Sequence, residues 1–233
     1  MSNIDDAEIA KFEGLASRWW DPEGEFKPLH RMNPIRAEYI DEHSPVKDTN
    51  YLDVGCGGGI LTESMASKGA NVMGIDMGEA PLSVAKLHSL ESELSINYQR
   101  ITAEELAQQK SATFDVVSCL EMLEHVPDPA SVVKACADLA KPGATLYFST
   151  INRTPKAFLL AIVGAEYVLN LLPRGTHEYK KLVKPSELAT AIRQAGLVLE
   201  DSKGVLYNPF NHSFKLSETD LDVNYMMRAK KPA

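Results

Sequence analysis

An α/β fold with a doubly wound, mostly parallel sheet is what this sequence predicts, and three observations predict it. From about residue 50, short apolar strands alternate with amphipathic segments, the connections between them are short, and glycines crowd the turn from the first of these strands into its helix. YLDVG (51–55), NVMGID (71–76), SINYQ (95–99), FDVVSCL (114–120) and ATLYFST (144–150) read as strands. Helical segments lie between them at about 59–68, 79–91, 102–108 and 128–140, with Gly69 and Pro142-Gly143 placed as helix stops. Two helical stretches come first: 5–19, with Ile9, Phe12, Ala16 and Trp19 at helical spacing, and 28–41, opened by Pro28.

Composition bounds the function. A chain of 233 residues with 44% hydrophobic and 24% charged residues has the balance of one globular domain. A net charge of −8 argues against nucleic acid as a partner, because neutralising phosphates takes a basic surface. The acidic N-terminal stretch has no apolar core of a secretory signal, and no apolar run reaches the roughly 20 residues that span a bilayer. Cys56, Cys119 and Cys136 are odd in number and far apart, which fits reduced core thiols in a cytoplasm.

Folds of this kind bind ligands beyond the carboxyl ends of their strands, near the switch in strand order. That places a site among the loops 53–59, 76–79, 100–104 and 120–127. In the first, Gly55, Gly57, Gly58 and Gly59 allow backbone N–H groups to approach a ligand with no Cβ in the way. The dinucleotide fingerprint G-x-G-x-x-G requires glycine at position 60, where this chain has Ile60. Asp76, at the end of the second strand, suits the two hydroxyls of a ribose, a role common to several nucleotide cofactors. Asp53 would repel a pyrophosphate but suits a ligand with an ammonium and a sulfonium, which turns the balance to S-adenosylmethionine.

With DVGCG at 53–57, Asp76, FDVVSCLEMLEHVPDP (114–129) and LAKPGATLYFS (139–149), the chain resembles the class I methyltransferases. KFEGLASRWWDPEGEFKPLHRMNPIR (11–36) and GAEYVLNLLPRGTHEYKKLVKPSEL (164–188), with LDVGCGGGIL and LEMLEHVPDP, look more narrowly like the ubiquinone-biosynthesis O-methyltransferases. The resemblance implies a Rossmann-like, seven-stranded sheet with N-terminal helices and a helical insertion after the fifth strand. Residues 1–233 then form a single methyltransferase domain: an N-terminal helical cap (1–48), a cofactor-binding core (49–152), the insertion (153–184) and a C-terminal helix and strands (185–233).

It also implies oxygen methylation of polyprenylated hydroxyphenols and of demethylubiquinol, with other ubiquinone-biosynthesis proteins as partners. Arg36 of the N-P-x-R segment, read from sequence alone as a solvated helix residue, becomes a cofactor contact. It joins Asp53, Gly55, Gly57, Asp76, Met77 and Leu120, and the resemblance places Cys119, Leu120 and Glu121 beside the adenine. Leu120 reads equally well as core.

A phenol with a pKa near 10 needs help to become nucleophilic at neutral pH. Two readings stand side by side. His125 takes the proton as a base, or Glu121, Glu124 and His125 hold Mg²⁺, as the E-x-x-E-H segments of eukaryotic relatives are associated with doing. Competing assignments are a nicotinamide-dependent oxidoreductase, disfavoured by Ile60 and Asp53, a methyltransferase of another phenol or quinone, and a non-catalytic quinol- or lipid-binding protein.

Residues 157–172 are apolar around nearly the whole helix circumference, broken by Glu166 and Asn170. The surrounding stretch 153–184 carries six basic residues and two acidic ones, against the chain's overall acidity. Since each basic group near an anionic leaflet is worth about 1 kcal/mol, 157–184 is expected to dock on anionic membrane lipids. The expected location is cytoplasmic, at the face of the inner membrane.

Overall fold

A computed structural model describes residues 3–159 and 178–233. Strands β1 (Asn50–Val54), β2 (Asn71–Asp76), β3 (Asn97–Arg100), β4 (Phe114–Leu120) and β5 (Ala140–Ile151) alternate with helices α3 (Ile60–Ser67), α4 (Glu79–Glu91), α5 (Ala103–Gln109) and α6 (Pro129–Leu139). Helices α1 (Asp6–Leu15) and α2 (Lys27–His43) precede them. The short α7 (Pro155–Ala157), then α8 (Pro185–Gln194) and strands β6 (Val198–Asn208), β7 (Ser213–Ser217) and β8 (Asn224–Lys230), follow. Most of the insertion, including nearly all of the apolar stretch 157–172, lies outside the described residues.

The sheet order is β3-β2-β1-β4-β5-β8-β6-β7. β1 to β5 run parallel, while β8 pairs antiparallel with both β5 and β6. The expected doubly wound architecture is present, with eight strands rather than seven. The additional strand is β7, the return arm of a hairpin from β6 at the sheet edge. The order reverses at β1, whose neighbours are β2 and β4, and this opens a crevice at their carboxyl ends.

The parallel strands are covered on both faces, so they read as nearly continuous apolar runs. Along β1 the alternation still decides direction: Leu52 and Val54 pack on one side with α5, α6 and α8. Tyr51 faces the other side, against Ile40 of α2 and Met65 of α3. By the same period of two, Asp53 shares the α2 side, as does Ser118 of β4, and the two side chains bond there. α2 is thus an integral core layer, with Ile40 fully buried.

Local signals set the helix starts. Asp5 caps α1, Thr102 and Glu105 form a capping box on α5, and Asp128 with Pro129 opens α6. Two expectations shift. The helix expected over 5–19 stops at Leu15 and tightens into a single turn over Ala16–Arg18, which redirects Trp19 and Trp20. Pro142 and Gly143 do not end α6, which stops at Leu139; they lie in the irregular start of β5, where Gly143 takes φ +80 and its N–H donates to the carbonyl of Lys231. No helix among the described residues is long and apolar enough to cross a membrane.

Leu146, in the middle of β5 and fully buried, gives a direct check on this core. Leu146→Ala should destabilise the fold by about 2–5 kcal/mol, seen as a lower urea midpoint with an unchanged denaturant slope.

Candidate functional site

Where β1, β2 and β4 end, a deep cleft is lined by Asp53, Gly55, Gly57, Asp76, Met77 and Leu120, with Arg36 reaching in from α2. All seven residues expected to touch a cofactor therefore meet in one cavity. Glu121 and His125 line it too, and α1 lies across it through Glu8, Ile9 and Phe12.

The glycine turn is shaped by contacts on both sides. Gly55, Gly57 and Gly59 take positive φ. Gly58 does not, and its need for glycine is one of space: a Cβ there would lie 2.3 Å from the Trp19 ring. Trp19 is buried and stacks on Phe26 at 3.9 Å between ring centroids, while the indole N–H of Trp20 donates to the carbonyl of Gly58 at 2.8 Å. Two adjacent tryptophans thus clamp the loop from outside. Sequence spacing had placed Trp19 on an amphipathic helix face; the available signal was the WW pair followed by Asp-Pro, a break after the helix.

The charges are held in different ways. Asp76 accepts from the N–H groups of Gly57 (2.9 Å) and Gly78 (2.7 Å), so it ties the glycine turn to the end of β2. Asp53 is buried and accepts from the hydroxyls of Thr62 and Ser118, each at 2.7 Å. Burial pushes its carboxyl up to about 6 against the pull of those hydroxyls and of Arg36.

Arg36 departs most from its sequence reading. It is not solvated but 4% exposed, and its Nε and Nη1 find no hydrogen-bond partner among the described residues. Burial lowers its pKa, while Glu121 and Asp53 act to hold the charge on it. A buried guanidinium with unsatisfied donors is costly, and a carboxylate entering the cleft would satisfy it. This is the fit the cavity offers to an amino-acid end: a carboxylate for Arg36, an ammonium for Asp53, and a ribose for Asp76. Leu120 belongs both to the core and to the cleft wall.

The E-x-x-E-H segment does not assemble as a metal site. Glu121, at the end of β4 with φ +53, accepts from the Ser149 hydroxyl (2.5 Å) and the Asn224 amide (2.7 Å). Glu124 turns away from the cleft into the core, where it accepts from Thr150 at 2.7 Å. His125 points to a third partner, Glu8 of α1, at 3.0 Å through Nδ1. No group of three metal-capable side chains forms among the described residues, these included. Because adjacent residues of a single turn over Leu123–His125 project in different directions, the E-x-x-E-H spacing does not converge.

His125 remains on the cleft. Burial disfavours its charge, but the hydrogen bond to Glu8 and the fields of Glu124, Glu8 and Glu121 more than offset this and raise its pKa. Glu8 itself is buried, yet its pairing with His125, Lys181 and Lys11 outweighs that burial and holds its carboxyl below the ordinary range. The sequence offered no distinguishing sign for Glu8, one acid in an acidic N-terminal helix.

Comparisons with known proteins show the family and the fold. A family model described as a methyltransferase domain matches residues 27–202. A protein of Hahella chejuensis named ubiquinone biosynthesis O-methyltransferase is 63% identical, over 100% of this chain and 97% of its own. Proteins with the same name from Stutzerimonas stutzeri and Pseudomonas syringae are 62% and 60% identical, over 99% and 100% of this chain and the same shares of their own. Among solved structures, magnesium protoporphyrin IX methyltransferase from Synechocystis with bound S-adenosylhomocysteine superposes with a TM-score of 0.70 at 16% identity, covering 97% of this chain and 100% of that one. An S-adenosylmethionine-dependent methyltransferase from Thermotoga maritima gives 0.68 at 19% identity, covering 97% and 98%. At these identities the structural likeness speaks for the fold.

Gly58 isolates the tryptophan clamp from backbone strain. Gly58→Ala should lower thermal stability by about 1–3 kcal/mol through overpacking against Trp19, and Gly58→Ala combined with Trp19→Leu should lose less than the two single changes added together.

Proposed function

The chain belongs to the ubiquinone biosynthesis O-methyltransferase family, and from that premise we propose that it methylates phenolic hydroxyls of polyprenylated ubiquinone precursors, 2-polyprenyl-6-hydroxyphenol and 3-demethylubiquinol, with S-adenosylmethionine as donor. The observation that carries the reading is the buried, partly unsatisfied Arg36 guanidinium beside Asp53 at the end of β1. That pair suits the carboxylate and ammonium of one amino-acid group, and Asp76 with Met77 and Leu120 suits the nucleoside attached to it. Residues 1–233 act as one methyltransferase domain in this reading.

S-adenosylmethionine supplies an already activated methyl group. The rest falls to the chain's own residues: the glycine turn and α1 exclude water, and the cleft holds the acceptor oxygen in line. His125 takes the phenolic proton. Glu121 accepts from Ser149 and Asn224 and Glu124 from Thr150, and with His125 they form no metal-capable group among the described residues, so the proposed chemistry uses no metal.

His125 must be neutral to accept a proton, and its neighbours hold it protonated above the pH at which an ordinary imidazole, with pKa about 6.5, loses its charge. Methylation of a prenyl hydroxyphenol with labelled S-adenosylmethionine should therefore rise with pH along a limb centred above about 6.5. His125→Asn should lower kcat about 100-fold and remove that limb, and EDTA should leave the wild-type rate unchanged. No methylation of any phenolic acceptor would overturn the reading.

The same reading includes docking of 157–184 on anionic lipid at the membrane surface, where a polyprenyl acceptor resides. Supporting it, Phe158, Leu159 and Tyr179, at the two described edges of this stretch, are exposed large apolar side chains beside Lys180 and Lys184. Vesicles containing anionic lipid should co-sediment the protein at low salt, and 0.5 M salt or neutral vesicles should release it.

A further inference from the structure

His125 is held by a residue 117 positions away in sequence. Glu8, on the cleft-facing side of α1, divides its carboxylate between two tasks. Its Oε2 lies 3.0 Å from His125 Nδ1, while Oε1 accepts from Lys181 at 2.9 Å and Lys11 at 3.0 Å. Four residues along the same helix face, Phe12 meets the imidazole edge-on, with ring centroids 5.0 Å apart and planes at 90°. One helix therefore grips the ring twice, by a carboxylate and by an aromatic wall.

Anchoring of α1 does not need this contact. Asn3 already bonds Glu104 and the backbone of Asp128, and Glu13 accepts from the N–H of Glu79. These anchors lie at both ends of the helix. The buried contact between them goes to His125, whose ring lines the cleft.

Resting on the reading of His125 as proton acceptor, we propose that Glu8 is a positioning residue for methyl transfer, fixing which nitrogen of His125 faces the acceptor. A carboxylate only accepts hydrogen bonds, so Nδ1 must carry the proton it donates to Glu8. In the neutral ring Nε2 then holds the lone pair. When the phenol reacts, its O–H proton passes to Nε2 as the oxygen's electron pair forms the new bond to the methyl carbon. The positive charge gained by the ring is met by the negative charge of Glu8 already in place. Without the Glu8 carboxylate nothing holds the proton on Nδ1 through that contact, and the population with the lone pair on Nε2 falls.

A double-mutant cycle on kcat tests this, using labelled S-adenosylmethionine and a short-tailed prenyl hydroxyphenol. Glu8→Gln should lower kcat tenfold or more while KM for S-adenosylmethionine stays within twofold, and Glu8→Asp should recover part of the loss. In the His125→Asn background Glu8→Gln should cost nothing further, because its effect runs through that ring. Lys11→Met, which removes one partner of Oε1 and leaves the Oε2 contact with His125 in place, should lower kcat less than Glu8→Gln does. Should Glu8→Gln fail to fold by thermal melting, Glu8→Asp carries the same cycle with a smaller expected loss. A kcat unaffected by Glu8→Gln, an equal loss in both backgrounds, or the same loss from Lys11→Met overturns the role of Glu8 and leaves His125 as base intact. Full activity of His125→Asn overturns both.

Discussion

Charge taken out of water at the carboxyl end of β1 is the constraint around which the rest of the structure is arranged. Asp53 and Arg36 are both buried there, and neither is fully compensated: burial raises the pKa of the acid and lowers that of the base. An isolated buried charge is unaffordable in a folded domain, so neighbours must share the load. Thr62 at the start of α3 and Ser118 in β4 supply hydroxyls to Asp53, and Glu121 and Asp53 favour the charge on Arg36. These partners come from α2, α3, β1 and β4, so the parallel order of the sheet and the packing of α2 on its face are prerequisites for the site. What is left unsatisfied on Arg36 is a stored preference for a carboxylate.

The two halves of the cleft are built with different stiffness. On the donor side, strand ends and the glycine turn are fixed by ladder bonds from Gly55 and Cys56 to Ile75 and by the Asp76 carboxylate. On the opposite side the cleft is bounded by α1 and by Met122 and His125 after β4, and Lys181 ties α1 through Asp5 and Glu8. Side-chain ion pairs of this kind rearrange more readily than a sheet edge.

The sheet and the cofactor half were legible in the sequence because each rests on a local signal. Strand alternation, the glycine run and Asp53 and Asp76 at strand ends need only a few adjacent residues to be read. Arg36 was visible only through family resemblance, since its own helix offers nothing that separates a buried guanidinium from a solvated one. The eighth strand was missed because β7 is a five-residue edge strand, none of whose residues is buried to mark a core-facing period. The metal spacing misled for the converse reason: an E-x-x-E-H pattern reads as convergent on a helix, but here it spans a strand end and one tight turn. Glu8 and Trp19 depend on contacts more than 35 residues away in sequence, which no local pattern encodes.

Those two residues sit on one short segment, and this links the halves of the cleft. From Glu8 and Phe12 at His125 the chain runs through the turn at Ala16–Arg18 to Trp19 and Trp20 against the glycine loop. The turn at Ala16–Arg18 is what allows it: a helix continued to residue 19 would carry Trp19 along the axis of α1 rather than back onto Gly57 and Gly58. Trp19, packed over Gly57 and Gly58, also meets Phe12 at 6.3 Å between ring centroids, and Phe12 in turn meets His125 at 5.0 Å. In the proposed mechanism, donor enclosure through Trp19 and orientation of His125 through Glu8 and Phe12 therefore fall to one segment of chain, residues 8–20.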